Sequence, residues 1–176
     1  ATGFRSSFRK SITLDDAFIP RINWPKILNI VVQLLGANLQ IMTSHLIYKY
    51  PDPEGHPDSH RHPGWHRDYL QAMRDMGNAA IPRLLVKCAY YLTDLTQPRQ
   101  GATMVAAGSN HLEGGLTIPE GQTDPITAVE PTRQAGDCLL IETRTHHRGA
   151  LHRGNNHRKT NKVTYGYGRA AELRVG

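Results

Sequence analysis

The chain has 176 residues and a formal net charge of +6 with neutral histidines, and its isoelectric point is about 9.5. This length favours one domain with a sizeable hydrophobic core. The chain contains neither an apolar run long enough to span a bilayer nor a secretory signal segment, so we expect a cytoplasmic protein that does not enter a membrane.

The first third of the chain predicts helices followed by one long strand. Residues 13–16 combine a hydroxyl with two acids and resemble a helix start. A second helix is predicted from Pro25, with Gly36 placed to end it. Residues 39–50 are rich in β-branched and aromatic side chains, which favour a strand. The polar loop at 51–63 is expected to be exposed or to form a rim over a pocket, and its histidines are His56, His60 and His62.

The remainder of the chain predicts a series of short strands. In the first of them Lys87 and Tyr91 share one face and Tyr90 lies on the other. Cys88 and Cys138 lie in apolar, strand-like runs and are expected to be buried free thiols in a reducing compartment. Short strands after a helical region predict a mainly β fold, a sandwich or jelly roll braced by helices. The predicted strands are 82–95, 102–107, 126–129, 138–143 and 162–168.

The segment Gly64-Trp65-His66-Arg67-Asp68 carries the most informative chemistry. In an extended backbone His66 and Asp68 point the same way, so both side chains can reach one metal ion. They supply only two ligands, and the run at 145–149, which holds two adjacent histidines after an apolar strand, is the obvious third donor. Two histidines and one carboxylate with open positions are typical of non-heme Fe(II) oxygenases. An isolated H-x-D triplet is weak evidence, so the hypothesis depends on both segments.

A basic window at 144–162 offers a different interpretation. Such a window is also found in nucleic-acid-binding domains, and the chain could then be a basic β domain with incidental histidines. We favour the metal hypothesis, because the window follows an apolar strand, is broken by glycines and has no interleaved aromatic residues on which bases could stack.

Taken together, these segments resemble the phytanoyl-CoA dioxygenase family. The resemblance rests on the H-x-D segment at 64–68, a G-S-x-H stretch at 108–111, and a G-D-x-L-L strand at 136–140 that leads to His147-Arg148-Gly149. It covers roughly residues 30–168, in order. It implies a double-stranded β-helix and an oxygenase that uses Fe(II), 2-oxoglutarate and O2. The family usually has a longer N-terminal region, so we expect residues 1–176 to be a single oxygenase domain that lacks part of it.

The resemblance also implies roles for individual residues. His66, Asp68 and His147 match the iron ligands, because His147 aligns with the family histidine before Arg-Gly, while His146 points away. The remote carboxylate of 2-oxoglutarate needs a cation, best supplied by a guanidinium. Arg158, eleven residues after His147, takes this role. Thr103 is expected to add a hydroxyl, and the fallback cations are Arg153 and Lys159.

The expected reaction is hydroxylation or a related radical oxidation, such as cyclisation, epimerisation or desaturation. The family suggests a small, mostly apolar metabolite from secondary metabolism as substrate, with no nucleic acid as partner. The residues predicted as pocket walls are Trp65, Tyr69, Met73 and Tyr90. The alternative enzyme is a cupin-like isomerase that uses the same three metal ligands without 2-oxoglutarate.

Overall fold

A computed structural model describes residues 5–58, 64–68, 74–76 and 82–168. The longest helix in these ranges is α1 (Pro25–Leu35), and short 3-10 helices cover residues 11–13, 16–21 and 109–111. The strands are β1 (Arg5–Arg9), β2 (Leu39–Lys49), β3 (Leu85–Tyr91), β4 (Thr103–Ala106), β5 (Ala128–Val129), β6 (Cys138–Glu142), β7 (His147–Gly149) and β8 (Arg158–Tyr167).

The strands form two antiparallel sheets. The larger sheet has the order β1-β2-β8-β3-β6 and the smaller one the order β5-β4-β7. Strands far apart in the chain are therefore neighbours, as β2 and β8 are, which is the arrangement of a jelly roll. The predicted fold class, a mainly β double-stranded β-helix braced by an N-terminal helix, is confirmed.

Helix α1 covers the outer face of the larger sheet. Pro25 suits the first position of the helix, because a backbone N–H there would have no acceptor within the helix and proline has none to lose. Gly36 ends the helix with a φ of +82°. The apolar stripe of α1 places Val31 and Leu35 on the sheet, where burial of each such side chain contributes about 1.5–3 kcal/mol. Their partners in this core are Val86, Cys88, Tyr90, Val163 and Tyr165.

The inner face of the larger sheet is polar and faces the smaller sheet. Side chains alternate along each strand, so the residues that share a face follow from the register. Lys162 of β8 lies between His45 of β2 and Ala89 of β3, and the next row brings Thr164 beside Lys87. The polar residues of these two rows, namely His45, Lys87, Lys162 and Thr164, line a cavity between the two sheets. A small apolar cluster also faces inward, formed by Ala89, Tyr91, Leu95 and Ala102.

Two strands were not predicted from the sequence. Strand β1 is polar and largely exposed, and it is held by backbone pairing with β2 rather than by an apolar pattern. Strand β7 has only three residues, too few to show a period. Strand β8 begins at Arg158, four residues before the predicted start. Near the N-terminus the acids start a 3-10 helix instead of an α-helix, and Asp15 caps it by accepting from the N–H of Ala17.

Other expectations concern the cysteines, the 69–76 turn and membranes. Cys88 and Cys138 are free thiols, the first buried and the second half-buried. Of the helical turn expected near 69–76, residues 74–76 are helical and residues 69–73 lie outside the described ranges. Among the helices that the structure describes, none has the length and apolar character needed to cross a membrane.

Candidate metal centre

The two predicted histidine ligands face each other across a pair of extended segments. The N–H of His66 donates to the carbonyl of His147 at 3.1 Å, and the N–H of His147 donates back at 2.9 Å. Residues directly opposed in an antiparallel pair present their side chains on the same face. The imidazole ring centroids consequently lie 4.4 Å apart. This bridge joins segments that are far apart in the sequence.

Asp68 completes the group because it lies two residues after His66 on the same extended segment. Its Oδ2 is 3.5 Å from Nε2 of His147 and its Oδ1 is 4.0 Å from Nε2 of His66. One ligand atom from each of the three residues lies within 4.8 Å of the other two. The structure thus brings together all three residues named from the sequence as metal ligands.

Backbone carbonyls fix the orientation of both imidazoles. Nδ1 of His66 lies 2.7 Å from the carbonyl oxygen of Gly64, and Nδ1 of His147 lies 3.0 Å from that of Thr145. A carbonyl oxygen only accepts hydrogen bonds, so each Nδ1 carries the proton. The Nε2 atoms are then directed toward Asp68, as in metal sites where a second contact sets the orientation of the histidine ring.

The electrostatics keep these groups in the forms that bind a cation. Burial lowers the pKa of His147 to about 3, so its imidazole is neutral at physiological pH. Burial alone would raise the pKa of Asp68, but the positive charge of Lys87 opposes burial, and the pKa lies below its ordinary value. The ammonium of Lys87 donates directly to Oδ2 of Asp68. Two imidazoles, that of His147 neutral, and an ionised carboxylate fit a divalent first-row transition metal.

A cavity of about 370 Å³ extends from this trio between the two sheets. Arg158 and Thr103, the residues predicted to bind the cosubstrate, both line it. Arg158 is only 4% exposed, and one of its terminal nitrogens donates to the carbonyl of Gly101 at 2.6 Å. Its Nε has no hydrogen-bond partner among the described residues. Burial lowers the pKa of Arg158 to about 10, so the guanidinium is a cation at neutral pH with donors to spare.

Three other candidates from the sequence lie elsewhere. His146 is buried on the reverse face of the histidine bridge and accepts a hydrogen bond from Arg67. Arg153 donates to the carbonyl oxygen of Pro53, at 2.6 Å. Lys159 lies over the ring of Tyr48, 5.9 Å from its centroid, because it points to the outer face of β8. The fallback cations therefore do not line the cavity.

The predicted aromatic walls are wrong where they are described. Tyr90 lies on the outer face of β3, where it stacks on Trp24 with ring centroids 6.1 Å apart. The indole N–H of Trp65 donates to Asp124 at 3.0 Å, and the ring does not line the cavity. Strand alternation explains the position of Tyr90, because it places Tyr90 and Lys87 on opposite faces of β3. Two further predicted walls and two loop histidines lie outside the described residues, namely Tyr69, Met73, His60 and His62.

Sequence reasoning missed most of the basic residues of the cavity. Arg5, Lys49, Lys87 and Lys162 all line it. Alternation along β3 could have found Lys87, since it shares a face with Tyr91. Lys49, the last residue of β2, also faces the site. Arg5 belongs to a strand that the sequence did not predict.

Comparisons with known proteins agree with this architecture. The model of the phytanoyl-CoA dioxygenase family matches residues 2–160. A search of curated proteins found no match. The solved structures that resemble the chain have low sequence identity, so they support the fold alone.

Three of these structures illustrate the similarity. The non-heme monooxygenase ThoJ, in its apo form, is 21% identical over 92% of this chain, with a TM-score of 0.65. SnoN, a non-heme α-ketoglutarate-dependent epimerase from nogalamycin biosynthesis, is 18% identical over 93%, with a TM-score of 0.66. HygX from Streptomyces hygroscopicus, bound to nickel, 2-oxoglutarate and hygromycin B, is 16% identical over 95%, with a TM-score of 0.69. The chain covers 59% of ThoJ, 61% of SnoN and 72% of HygX.

Proposed function

Because the chain belongs to the phytanoyl-CoA dioxygenase family, we propose that it is a non-heme oxygenase dependent on Fe(II) and 2-oxoglutarate. It oxidises a C–H bond of a small metabolite, in the cytoplasm. The observation that carries this proposal is the trio of His66, Asp68 and His147, whose ligand atoms lie within 4.8 Å of one another at one end of a cationic cavity.

In this proposal His66, Asp68 and His147 would hold the iron. The two Nε2 atoms and one carboxylate oxygen are the donors, and the carbonyls of Gly64 and Thr145 hold the rings in place. Lys87 neutralises the carboxylate oxygen nearest to it and restricts rotation of Asp68. Bound ferrous iron would supply the activation of O2 that C–H oxidation requires.

Arg158 and Thr103 bind the remote carboxylate of 2-oxoglutarate. Arg158 suits this role because its guanidinium is buried, charged and only partly hydrogen-bonded, so a carboxylate would supply the missing acceptors. In hydroxylation, the substrate, 2-oxoglutarate and O2 become the hydroxylated substrate, succinate and CO2, with one oxygen atom of O2 in the new hydroxyl and the other in succinate. Hydroxylation is the default outcome. The chain's similarity to HygX and to the epimerase SnoN supports a small-molecule substrate from secondary metabolism and includes epimerisation among the outcomes.

An anaerobic titration tests the proposal. Adding Fe(II) and then 2-oxoglutarate should produce the visible charge-transfer band of the iron–2-oxoglutarate chelate. The band should be lost in the His147→Ala variant and kept in His157→Ala, because His157 is exposed and contacts the ring of Tyr50 instead. Absence of the band in the unmodified protein would contradict the proposed function.

A further inference from the structure

The cavity wall carries more positive charge than the proposed iron site and cosubstrate use. Asp68 is its only carboxylate among the residues described as lining it. A ferrous ion, the Asp68 carboxylate and the two carboxylates of 2-oxoglutarate together leave one negative charge, which Arg158 balances. The cations that line the cavity are Arg5, Lys49, Lys87, Arg148, Arg158 and Lys162.

Two of the remaining cations already have carboxylate partners outside the cavity wall. Lys49 lies 3.2 Å from the carboxylate of Asp52 and donates to the carbonyl of Ala150 at 2.7 Å. Arg148 lies 3.3 Å from the carboxylate of Asp124. These ion pairs are neutral as units, so they neither require nor strongly attract an anion in the cavity.

Lys162 differs from them. It is half-buried on the inner face of β8, and of the ion pairs formed within the described ranges none includes it. The register places it diagonally to Lys87, whose ammonium contacts Asp68. Arg5 of the edge strand β1 reaches the same cavity and likewise has no carboxylate partner in the part of the chain that the structure describes. Between them these groups leave the cavity with uncompensated positive charge.

Uncompensated charge of one sign in a desolvated space is unfavourable, and Lys162 shows the effect. Burial lowers its pKa well below the ordinary value, and the positive charges of Lys87, Arg158 and Arg5 lower that pKa further. Asp68 acts in the opposite direction but does not compensate. A bound anion would remove this repulsion, because opposite charges within a few ångströms interact strongly where water is excluded.

Lys162 and Arg158 line the cavity at different positions along strand β8. They are four residues apart on β8, which corresponds to about 13 Å along a strand. Arg158 lies in the row of Lys49, whereas Lys162 lies in the row of His45, one step from the row of Lys87 beside the metal ligands. The two cations therefore define separate anion positions, one distant from the metal centre and one close to it.

We propose that Lys162, with Lys87, binds an anionic group of the prime substrate, a carboxylate or a phosphate, next to the metal centre. Arg5 pairs with Lys49 and so lies in the row of Arg158, at the distant position. This inference rests on the proposed function, since it assigns Arg158 to 2-oxoglutarate. It also replaces the expectation of a mostly apolar substrate, because Ile47 is the one aliphatic side chain among the described lining residues. An anion held at Lys162 fixes the end of the substrate that lies nearest the metal and thereby selects which C–H bond is oxidised.

The test uses the full chain loaded with Co(II) and 2-oxoglutarate, and two simple probes, inorganic phosphate and acetate. A probe bound beside the paramagnetic metal shows faster nuclear relaxation, of 31P for phosphate and of the methyl 1H for acetate. We expect enhanced relaxation in the unmodified protein and at least about tenfold weaker binding in Lys162→Met. The probe that binds more tightly identifies the group as phosphate or carboxylate.

Two variants control this experiment. Lys159→Met removes the same charge from the outer face of β8 and should bind the probes as the unmodified protein does. Lys162→Arg keeps the charge and should retain binding, which separates loss of the cation from misfolding. Equal binding by Lys162→Met, or no relaxation effect in the unmodified protein, overturns the inference.

A loss of 2-oxoglutarate affinity in Lys162→Met also overturns it, since Lys162 would then belong to the cosubstrate site. We expect that affinity to change less than about twofold. Failure of the proposed function itself is recognised separately, by the missing charge-transfer band in the unmodified protein, and the anion site falls with it.

Discussion

Arg67 donates its Nε–H to Nδ1 of His146 at 3.2 Å, directly behind the metal centre. Because His66 and His147 are opposed in the antiparallel bridge, their chain neighbours Arg67 and His146 oppose each other on the reverse face. Burial, and then the charge of Arg67, lower the pKa of His146 to about 4, so this imidazole is neutral and accepts the hydrogen bond. The contact joins the two segments that present the candidate metal ligands.

We expect Arg67→Met to weaken Fe(II) binding by about 10- to 100-fold, as loss of an outer contact does at other metal sites. It should also lower the free energy of unfolding by about 2–4 kcal/mol, because the carbonyls of Ser109 and Leu112 lose a buried donor. Competition with a chelator and urea denaturation measure the two effects. Arg153→Met is the matched control and should bind iron normally, since Arg153 lies away from the cavity. Unchanged iron affinity in Arg67→Met would show that the bridge holds without this contact.

Asp68→Asn tests the carboxylate ligand with little change in shape. The amide is uncharged, so Fe(II) affinity should fall by more than about 100-fold. The variant also leaves Lys87 beside a neutral group, and the ammonium then repels the metal without compensation. Calorimetric titration with Fe(II) under anaerobic conditions measures the change. Asp58→Asn, at a half-buried loop residue paired with Arg99, provides the control for a lost carboxylate. Equal affinity of Asp68→Asn and the unmodified protein would remove Asp68 from the ligand set.

Arg158→Met separates the oxygenase from the isomerase that does not use 2-oxoglutarate. Loss of the buried guanidinium should weaken 2-oxoglutarate binding roughly 30-fold or more, the equivalent of about 2 kcal/mol or greater, while Fe(II) affinity stays the same. Titration of the charge-transfer band gives both constants. Arg158→Lys should recover part of the affinity, because it restores the charge but not the paired donors. Full 2-oxoglutarate affinity in Arg158→Met would favour the isomerase or another cosubstrate residue.

The sequence predicted which residues form the candidate metal centre better than it predicted the lining of the cavity. His66 and Asp68 are two apart, and this spacing alone places them on one face of an extended segment. The contact of His66 with His147 instead depends on a bridge between distant segments. The residues indicated the run at 145–149 as the second segment, and the family resemblance selected His147 within it. The prediction that Tyr90 lines the pocket was wrong, although strand alternation already placed Tyr90 on the other face of the strand from Lys87. Lys162 belongs to the inner face through the long-range pairing of β2, β8 and β3, which no local pattern reveals.

Gly101→Ala should disturb the cosubstrate site through the backbone. Gly101 has a φ of +78°, and an added Cβ would lie 3.1 Å from Cβ of His152. Its carbonyl oxygen also accepts the hydrogen bond that orients Arg158. We expect a loss of about 2–4 kcal/mol in the free energy of unfolding, from backbone strain and crowding together, and weaker 2-oxoglutarate binding. Gly121→Ala is the matched control, because its φ is +73° but nothing lies within 4 Å of the added Cβ. Similar losses in both variants would attribute the whole effect to backbone strain.

Glu142 should make stability depend on pH in the acidic range. Burial raises the pKa of its carboxyl, but hydrogen bonds from Arg144 and Arg83 outweigh burial and lower it below the ordinary value. The bond from Arg83 is 2.7 Å long, and Arg144 donates to both carboxylate oxygens, at 3.0 and 2.9 Å. A carboxyl whose folded pKa is lowered stabilises the fold fully above its unfolded pKa of about 4.3, and this contribution is lost as pH falls through the folded pKa.

The variant Glu142→Gln should consequently be less stable than the unmodified protein by about 1 kcal/mol at pH 7. The difference should shrink as the pH is lowered below about 4, because the carboxyl of the unmodified protein then becomes neutral as well. Urea denaturation of both proteins at a series of pH values measures it. Glu120→Gln, at an exposed position, should show no such difference at any pH. A stability difference in Glu142→Gln that is the same at pH 7 and pH 3 would mean that the shape of the side chain, and not its charge, joins Arg83 to Arg144.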